Sequence, residues 1–265
     1  MELIYHYTKL STLLALYDGM KKGIECATTD EERNTPKLIL RASNIHFLND
    51  TQENQMLPHV LRNLGISEEQ LCTIEKETGQ HYAFSFSIHQ DKLSMWQRYA
   101  NNGNGIALGF DKKNIISTVE NSSLAIDVAD NCEYTTCSKL KTLIEQQPLY
   151  QLYKTNPQTL KPLLALYSQS LKYKHESFKD EGEFRIAFSE YHEEKYYATN
   201  TAIIPYQEIM VPVESLKEIV VGPCLDYEKT KYSILRMQMY YLENFPYKRL
   251  NNDSIIKSSI PFVNQ

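Results

Sequence analysis

The chain opens with Leu3-Ile4-Tyr5-His6-Tyr7-Thr8-Lys9-Leu10-Ser11, in which an apolar and aromatic run ends at a polar turn. Short apolar runs rich in tyrosine and β-branched residues are typical of buried β-strands. Leu10, Leu13, Leu14 and Tyr17 then recur at the spacing of one helix face. The N-terminal region is therefore predicted to form a strand, a turn and a helix.

Further segments continue this alternation. Strands are predicted at residues 38–40, 44–48, 82–87, 106–110, 132–135, 183–189, 202–204, 209–213, 218–221 and 255–257. Helices are predicted at residues 91–100, 138–173 and 226–243, and two more within 51–78, where Ser67 and Gln70 match a capping box. Residues 26–36 are predicted to form a polar loop, and residues 101–105 a turn. We find no linker, so we expect one α+β domain over residues 1–265, with short strands in a mixed sheet and a helical insertion at about 136–174.

Composition excludes several classes of protein. The 265 residues are 42% hydrophobic and 23% charged, which is unlike disordered, collagen-like or coiled-coil chains. With a net charge of −5, the chain as a whole lacks the excess of positive charge that favours binding to nucleic acid or an anionic membrane. The longest apolar stretches, at residues 12–17 and 218–222, are far shorter than the roughly 18–20 residues of a membrane-spanning helix. The N-terminus lacks the features of a signal peptide and the five cysteines are scattered, so we expect a cytoplasmic protein without a membrane partner.

Four segments carry candidate chemistry, whereas the common nucleotide, zinc-protease and hydrolase motifs are missing from the sequence. His6 places an imidazole at the end of a buried strand, which suits either a site or a hydrogen-bonded core histidine. Glu181 and Glu183 flank Gly182 where the next strand begins, and a period of two puts them on one face. Paired carboxylates in a cleft could stabilise a developing cation or act as a base. The alternative is a solvated strand end in which Arg185 forms an ion pair.

Small hydroxyl residues form the third segment. Ser85 and Ser87 share one face of a predicted strand, where they could support a ligand or pack beneath a helix. In a fourth segment, Asn49-Asp50-Thr51-Gln52-Glu53, the polar residues could cap the next helix or contact a ligand.

Together these segments resemble a bacterial family known as domain of unknown function 2971. The resemblance rests on the motifs Tyr5-His6-Tyr7-Thr8, Ile45-His46-Phe47-Leu48-Asn49-Asp50 with Glu53, Phe84-Ser85-Phe86-Ser87, Leu93-Ser94-Met95-Trp96 with Tyr99, Gly103-Asn104-Gly105-Ile106-Ala107-Leu108-Gly109-Phe110, residues 174–185, and Glu218-Ile219-Val220-Val221-Gly222-Pro223. These motifs occur in the expected order over most of the chain.

The layout also resembles a divergent ADP-ribosyltransferase. That resemblance implies a largely antiparallel split sheet around a cleft, with flanking helices, and NAD as the substrate. It assigns His6 to catalysis and to NAD binding, Thr8 to NAD binding, Ser85 or Ser87 to the middle motif, and Glu183 to catalysis. It adds Glu181 as the residue that orients or deprotonates the acceptor, Tyr7, Phe84 or Trp96 as rings that stack on nicotinamide, and Arg185 as a cofactor-binding residue. No metal is expected.

The implied function is transfer of ADP-ribose to a protein or nucleic-acid acceptor, or hydrolysis of NAD, in anti-phage defence or as a toxin. Lys172, Lys174 and Lys179 could form a local phosphate-binding patch. One alternative is a catalytically inactive nucleotide-binding or sensor module. Another is a magnesium-dependent nuclease or phosphohydrolase built on Asp50, Glu53 and the Glu181–Glu183 pair. A third is a structural interaction protein with a tyrosine-rich surface.

Overall fold

The structure is a computed structural model, and it describes residues 1–48, 56–189, 194–199 and 201–262. The chain divides into two compact units. The first unit comprises Met1–Leu40, Phe86–Ser122 and Glu208–Gln265. The second unit comprises Arg41–Ser85 and Ser123–Gln207.

The elements follow one another in mixed order along the chain. The helices are α1 (Leu10–Cys26), α2 (Asp30–Asn34), α3 (Met56–Asn63), α4 (Glu68–Glu77), α5 (Leu93–Tyr99), α6 (Lys112–Glu120), α7 (Cys137–Gln146), α8 (Pro148–Thr155), α9 (Lys161–Ser170) and α10 (Tyr227–Tyr241). The strands are β1 (Leu3–Thr8), β2 (Lys37–Asn44), β3 (His81–Ser87), β4 (Ile106–Asp111), β5 (Ala125–Asn131), β6 (Glu133–Thr135), β7 (Tyr173–His175), β8 (Glu183–Ser189), β9 (Lys195–Ala198), β10 (Ile203–Pro212), β11 (Leu216–Val221) and β12 (Ile255–Lys257).

The first unit contains the strand order β12–β11–β4–β1. The β1–β4 and β4–β11 pairs are antiparallel, and the β11–β12 pair is parallel. Tyr5 of β1 also pairs with Ser87 of β3. All five apolar and glycine residues of β4 before Asp111 are buried, because both faces of this strand are covered. Trp96 of α5 packs on β1, where its ring lies edge-on to Tyr7 with ring centroids 4.8 Å apart.

The second unit combines an antiparallel β5–β8 pair and a parallel β6–β7 pair with five helices among its described residues. The helices α3, α4, α7, α8 and α9 each bury an apolar face in one cluster. Representative members of that cluster are Leu61, Leu71, Leu140, Tyr153 and Leu163. In these helices the apolar residues that recur at helical spacing are therefore the ones that are buried.

Several local predictions are confirmed. The strand, turn and helix at the N-terminus are β1 and α1, and the capping box is present because Ser67 accepts a hydrogen bond from the Gln70 backbone N–H. The predicted turn at residues 101–105 contains Asn101 and Asn102 at positive φ. The stretch predicted to be largely helical at residues 138–173 contains α7, α8 and α9.

Other local predictions are wrong. The polar loop predicted for residues 26–36 contains α2, which begins at a capping box formed by Thr29 and Glu32. The two strands predicted at 38–40 and 44–48 are one strand, β2, followed by a 3-10 turn. The strands predicted at 202–204 and 209–213 are both parts of β10. The helix α6 and the strand β5 were not predicted, and Asn49–Glu53 lies outside the described residues.

The fold class predicted from sequence is confirmed at the level of an α+β protein with mixed, mostly antiparallel strand pairing. In the part of the chain that the structure describes, no helix combines the length and apolarity needed to cross a bilayer.

Candidate functional site

The carboxylates of Glu181 and Glu183 are brought together by a left-handed turn in the second unit. Glu181 ends a 3-10 helix, Glu183 begins β8, and Gly182 between them has φ 52° and ψ 53°. Glycine adopts this conformation without steric cost, whereas a side chain at Cβ penalises it. The sequence prediction that both carboxylates share one face assumed a continuous strand, but the turn at Gly182 provides the geometry instead.

Lys174 of β7 lies between the two carboxylates. Its Nζ is 2.7 Å from Oε2 of Glu181 and 2.7 Å from Oε2 of Glu183. All three side chains are buried, with exposed fractions of 3–5%. Each of these buried charges is stabilised by its neighbours, because a buried charge without a partner is strongly destabilising.

Three further residues form hydrogen bonds with Glu183. Arg185 projects from the same face of β8, and its Nε donates to Oε1 of Glu183 at 2.7 Å. Ser85 of β3 donates from Oγ to the same oxygen at 2.6 Å. The backbone N–H of Glu183 donates to the Tyr134 hydroxyl at 2.7 Å. We call Ser85, Tyr134, Lys174, Glu181, Glu183 and Arg185 the Glu183 network.

The Glu183 network keeps its central carboxyl group ionised. Burial by itself raises the pKa of this carboxyl, but the charges of Arg185 and Lys174 and the hydrogen bonds from Lys174 and Ser85 lower it to about 2. Burial also raises the pKa of the neighbouring Tyr134 hydroxyl to about 12. At neutral pH, Glu183 is therefore a carboxylate and Tyr134 a neutral phenol.

This ionisation state limits the chemistry of Glu183. A general base works best when its pKa is close to the working pH, so a carboxyl group with a pKa of about 2 is a poor base. A permanently ionised carboxylate is suited to stabilising positive charge or accepting a hydrogen bond. Within the described residues, Oε1 accepts from Ser85 and Arg185, whereas Oε2 accepts from Lys174. Each carboxylate oxygen has two lone pairs, so Oε2 retains acceptor capacity beyond its contact with Lys174, while the side chain as a whole is only 4% exposed.

The other predicted site residues lie in the first unit, mainly on β1. His6 is half-buried, and its ring lies edge-on to Phe86 with centroids 6.4 Å apart. Thr8 donates from Oγ1 to Thr12 at 2.8 Å. Tyr7 donates from its hydroxyl to the backbone carbonyl of His89 at 2.9 Å. Tyr7 is therefore held as part of the core of this unit.

Trp96 and Ser87 also have structural partners in the first unit. Trp96 has no exposed surface, and its indole N–H donates to Oδ1 of Asp91 at 2.6 Å. Both ring faces are enclosed by protein, so the structure does not present Trp96 for stacking on a nicotinamide ring. Ser87 is buried, and its Oγ accepts from the His89 backbone N–H at 3.1 Å.

The structure thus brings together four predicted residues in the second unit, namely Ser85, Glu181, Glu183 and Arg185. The predicted residues His6, Tyr7, Thr8, Ser87 and Trp96 belong to the first unit. Sequence reasoning missed Tyr134 and assigned Lys174 to a surface patch. A useful signal was the position of Lys174, which follows the apolar residues Leu171 and Tyr173 just before the acidic pair.

The predicted phosphate-binding patch is wrong for two of its three lysines. Lys174 is buried between carboxylates, and Lys172 Nζ is 2.6 Å from Oε1 of Glu133. Only Lys179 remains as an exposed member of the predicted set. Because the positive charges of Lys172 and Lys174 are compensated, these residues do not form a basic surface.

The described ranges contain no group of three or more histidine, cysteine and acidic residues placed to hold a metal ion. Asp50 and Glu53, which the nuclease alternative requires, lie outside those ranges. The carboxylates of Glu181 and Glu183 already face Lys174 and Arg185.

A family model matches part of the chain. It is the family described as a protein of unknown function (DUF2971), and the match covers residues 95–186. This segment, roughly a third of the chain, contains Tyr134, Lys174, Glu181, Glu183 and Arg185, so it includes every member of the Glu183 network except Ser85. The match supports the resemblance to that family. No curated protein and no solved structure matches the chain.

Proposed function

We propose that this protein is an ADP-ribosyltransferase-like enzyme that uses NAD as its substrate. It transfers ADP-ribose to a macromolecular acceptor, a protein or a nucleic acid, or transfers it to water. The observation that carries the proposal is the ionised, buried carboxylate of Glu183, which is held by Lys174, Arg185 and Ser85. The order of motifs that resembles this enzyme class provides separate support.

The proposed reaction breaks the bond between ribose C1′ and the nicotinamide nitrogen. The electron pair of that bond moves to the pyridinium ring, so nicotinamide leaves as a neutral molecule and C1′ acquires oxocarbenium character. A lone pair of the acceptor, or of water, forms the new bond to C1′, and the acceptor loses one proton. Glycoside hydrolysis passes through the same type of cation, which a nearby carboxylate stabilises.

Glu183 is the residue assigned to stabilise that cation. Its Oε2 accepts a ribose hydroxyl, and its negative charge offsets the charge that develops at C1′. A pKa of about 2 ensures that the carboxylate is ionised throughout the physiological pH range. Ser85 and Arg185 hold Oε1, so the orientation of the carboxylate is set before the substrate binds.

The remaining assignments come from the resemblance. Glu181 orients the acceptor, and its contact with Lys174 makes this role more suitable than proton abstraction. His6 and Thr8 are assigned to NAD binding, and this stays a prediction. A role in defence or as a toxin is a further prediction.

Release of nicotinamide from NAD by the purified protein tests the proposal, with a cell lysate as the source of acceptors. We expect Glu183→Gln to lower the rate at least about 100-fold, the usual effect of removing one electrostatic stabiliser of a transition state. Glu181→Gln should reduce labelling of macromolecules more than hydrolysis of NAD. His6→Ala tests the assignment that rests on resemblance.

Glu133→Gln is the matched control, because it removes one carboxylate from an exposed ion pair of the same unit. We expect this variant to keep the activity of the unmodified protein. Thermal unfolding of each variant separates loss of chemistry from loss of folding. Full activity in a folded Glu183→Gln variant would contradict the proposal.

A catalytically inactive nucleotide-binding module is the second candidate. The formal charges of Lys174, Arg185, Glu181 and Glu183 sum to zero, which favours a structural network. This candidate predicts that NAD raises the unfolding temperature without release of nicotinamide. Turnover that depends on Glu183 would exclude it.

A further inference from the structure

The second unit contains a cavity of about 370 Å³ between β5 and the helices α7 and α9. Its volume lies within the roughly 300–1,000 Å³ typical of small-molecule sites. Ile144, Leu166 and Tyr173 supply apolar walls, and Gln147 and Gln169 supply amides. The wall therefore combines apolar side chains with a larger share of polar and charged groups, among them Asp127, Asp130 and Lys172.

Asp127, which lines the cavity, lies at a β-bulge of β5. In the β5–β8 ladder, Ile126 pairs with Phe188 and Val128 pairs with Ala187, so Asp127 is an extra residue on β5. A bulge of this kind redirects a side chain, and bulges occur often beside functional sites. The position of the Asp127 carboxylate is therefore set by the backbone of the strand.

The Ser189 hydroxyl holds that carboxylate in place. Ser189 donates from Oγ to Oδ2 of Asp127 at 3.0 Å, and Nε2 of His81 lies 3.5 Å from the same oxygen. His81 is itself fixed, because its Nδ1 donates to the backbone carbonyl of Thr78 and its Nε2 lies 2.9 Å from Oγ of Ser168. The two described contacts of the Asp127 side chain, with Ser189 and His81, both involve Oδ2. Oδ1 is therefore the oxygen that accepts from a ligand.

The charges around the cavity favour a cationic ligand. Asp127 and Asp130 contribute two carboxylates, and the side chain of Asp127 is only 15% exposed. Lys172 contributes one ammonium, but Glu133 pairs with it. A partly buried carboxylate attracts a cation more strongly than a fully solvated one does, because water screens it less.

We propose that this cavity is a binding site for a small organic cation, a primary amine or a guanidinium, with Asp127 as its counter-ion. The ammonium or guanidinium group donates to Oδ1 of Asp127. The carbon chain of the ligand packs on Leu166 and Tyr173. This site is separate from the role proposed for Glu183, and its test does not depend on turnover of NAD.

Isothermal titration of the full chain with agmatine, which carries both a guanidinium and an amine, tests the proposal at physiological salt. We expect saturable binding of one agmatine per chain. Asp127→Asn should weaken this binding at least about tenfold, since a hydrogen bond to a charged group contributes about 1.5–3 kcal/mol. Ala129→Leu, which adds bulk at the cavity wall without changing charge, should weaken binding as well.

Glu145→Gln is the matched control, because Glu145 is exposed on α7 and does not line the cavity. We expect this variant to bind agmatine as the unmodified protein does. Hexane-1,6-diol, a neutral molecule of similar length, should not bind. The proposal is overturned by an absence of agmatine binding, by equal binding to Asp127→Asn, or by equal binding of the diol.

Discussion

Replacement of Lys174 by methionine removes the charge at the centre of the Glu183 network. Methionine is apolar and similar in length to lysine, so the change in packing is small while both ion pairs are lost. Lys174 Nζ contacts Glu181 and Glu183 at 2.7 Å, and the exposed fractions of all three side chains are 5% or less. We expect the free energy of unfolding to fall by about 3–5 kcal/mol near neutral pH, the usual cost of breaking a buried ion pair.

The pKa of Glu183 provides a second route to this magnitude. Its carboxyl has an ordinary pKa of 4.5 and a pKa of about 2 in the folded protein. The lowered pKa means that the ionised carboxylate stabilises the folded protein near neutral pH, by an amount on the order of a few kcal/mol. Lys174 and Arg185 share this contribution, because both charges lower the pKa.

The sign of the pH dependence follows from the lowered pKa. The contribution of Glu183 is present above its ordinary pKa of 4.5 and is lost as the pH falls towards 2. In Lys174→Met, burial of Glu183 is opposed by fewer charges, so its pKa rises and it binds a proton at a higher pH. The difference in stability between the two proteins should therefore shrink between about pH 7 and about pH 4.

Urea denaturation followed by circular dichroism at these two pH values measures the difference. Lys172→Met is the matched control, because Lys172 pairs with Glu133 at the surface and should cost at most about 1 kcal/mol. The reasoning is refuted if Lys174→Met costs no more than Lys172→Met. It is equally refuted if the cost of Lys174→Met does not change with pH.

Three further predictions concern other contacts. Gly182→Ala should lower stability by about 1–2 kcal/mol in thermal denaturation, because Gly182 has φ 52°, and Gly182→Asn should cost less. Asp91→Ala should cost about 1–3 kcal/mol and shift the fluorescence of Trp96, since the Trp96 indole and the Ser259 backbone N–H lose their acceptor; unchanged emission would contradict this. Ser67→Ala should destabilise α4 by about 1 kcal/mol through loss of its capping box, and chemical denaturation measures that loss.

Elements whose signal is local were predicted well. The β1–α1 pair follows from apolar periodicity, and the start of α4 follows from the capping box at Ser67 and Gln70. The strand β2 shows the limit of this approach. Arg41 interrupts the apolar run, so the sequence predicts two strands, but alternation simply places Arg41 on the outer face of one strand. Its guanidinium there lies 5.0 Å from the Tyr206 ring centroid.

The candidate site was predicted only in part, for a physical reason. Glu181, Glu183 and Arg185 are close in sequence, so their spacing indicated a charged cluster. Ser85 lies 98 residues from Glu183, and no local pattern reports that contact. Asp127 owes its position to a bulge in strand pairing, which two strands create together.

The sequence by itself determined the α+β class, most helices and strands, and the acidic pair beside Gly182, because these depend on periodicity and on neighbouring residues. Only the tertiary structure decided that Lys174 is buried and that Glu183 is ionised at a pKa of about 2. Burial and ionisation depend on which distant groups surround a side chain. Those surroundings exist only after β7, β8 and Ser85 have come together, since desolvation and charge pairing both act through space.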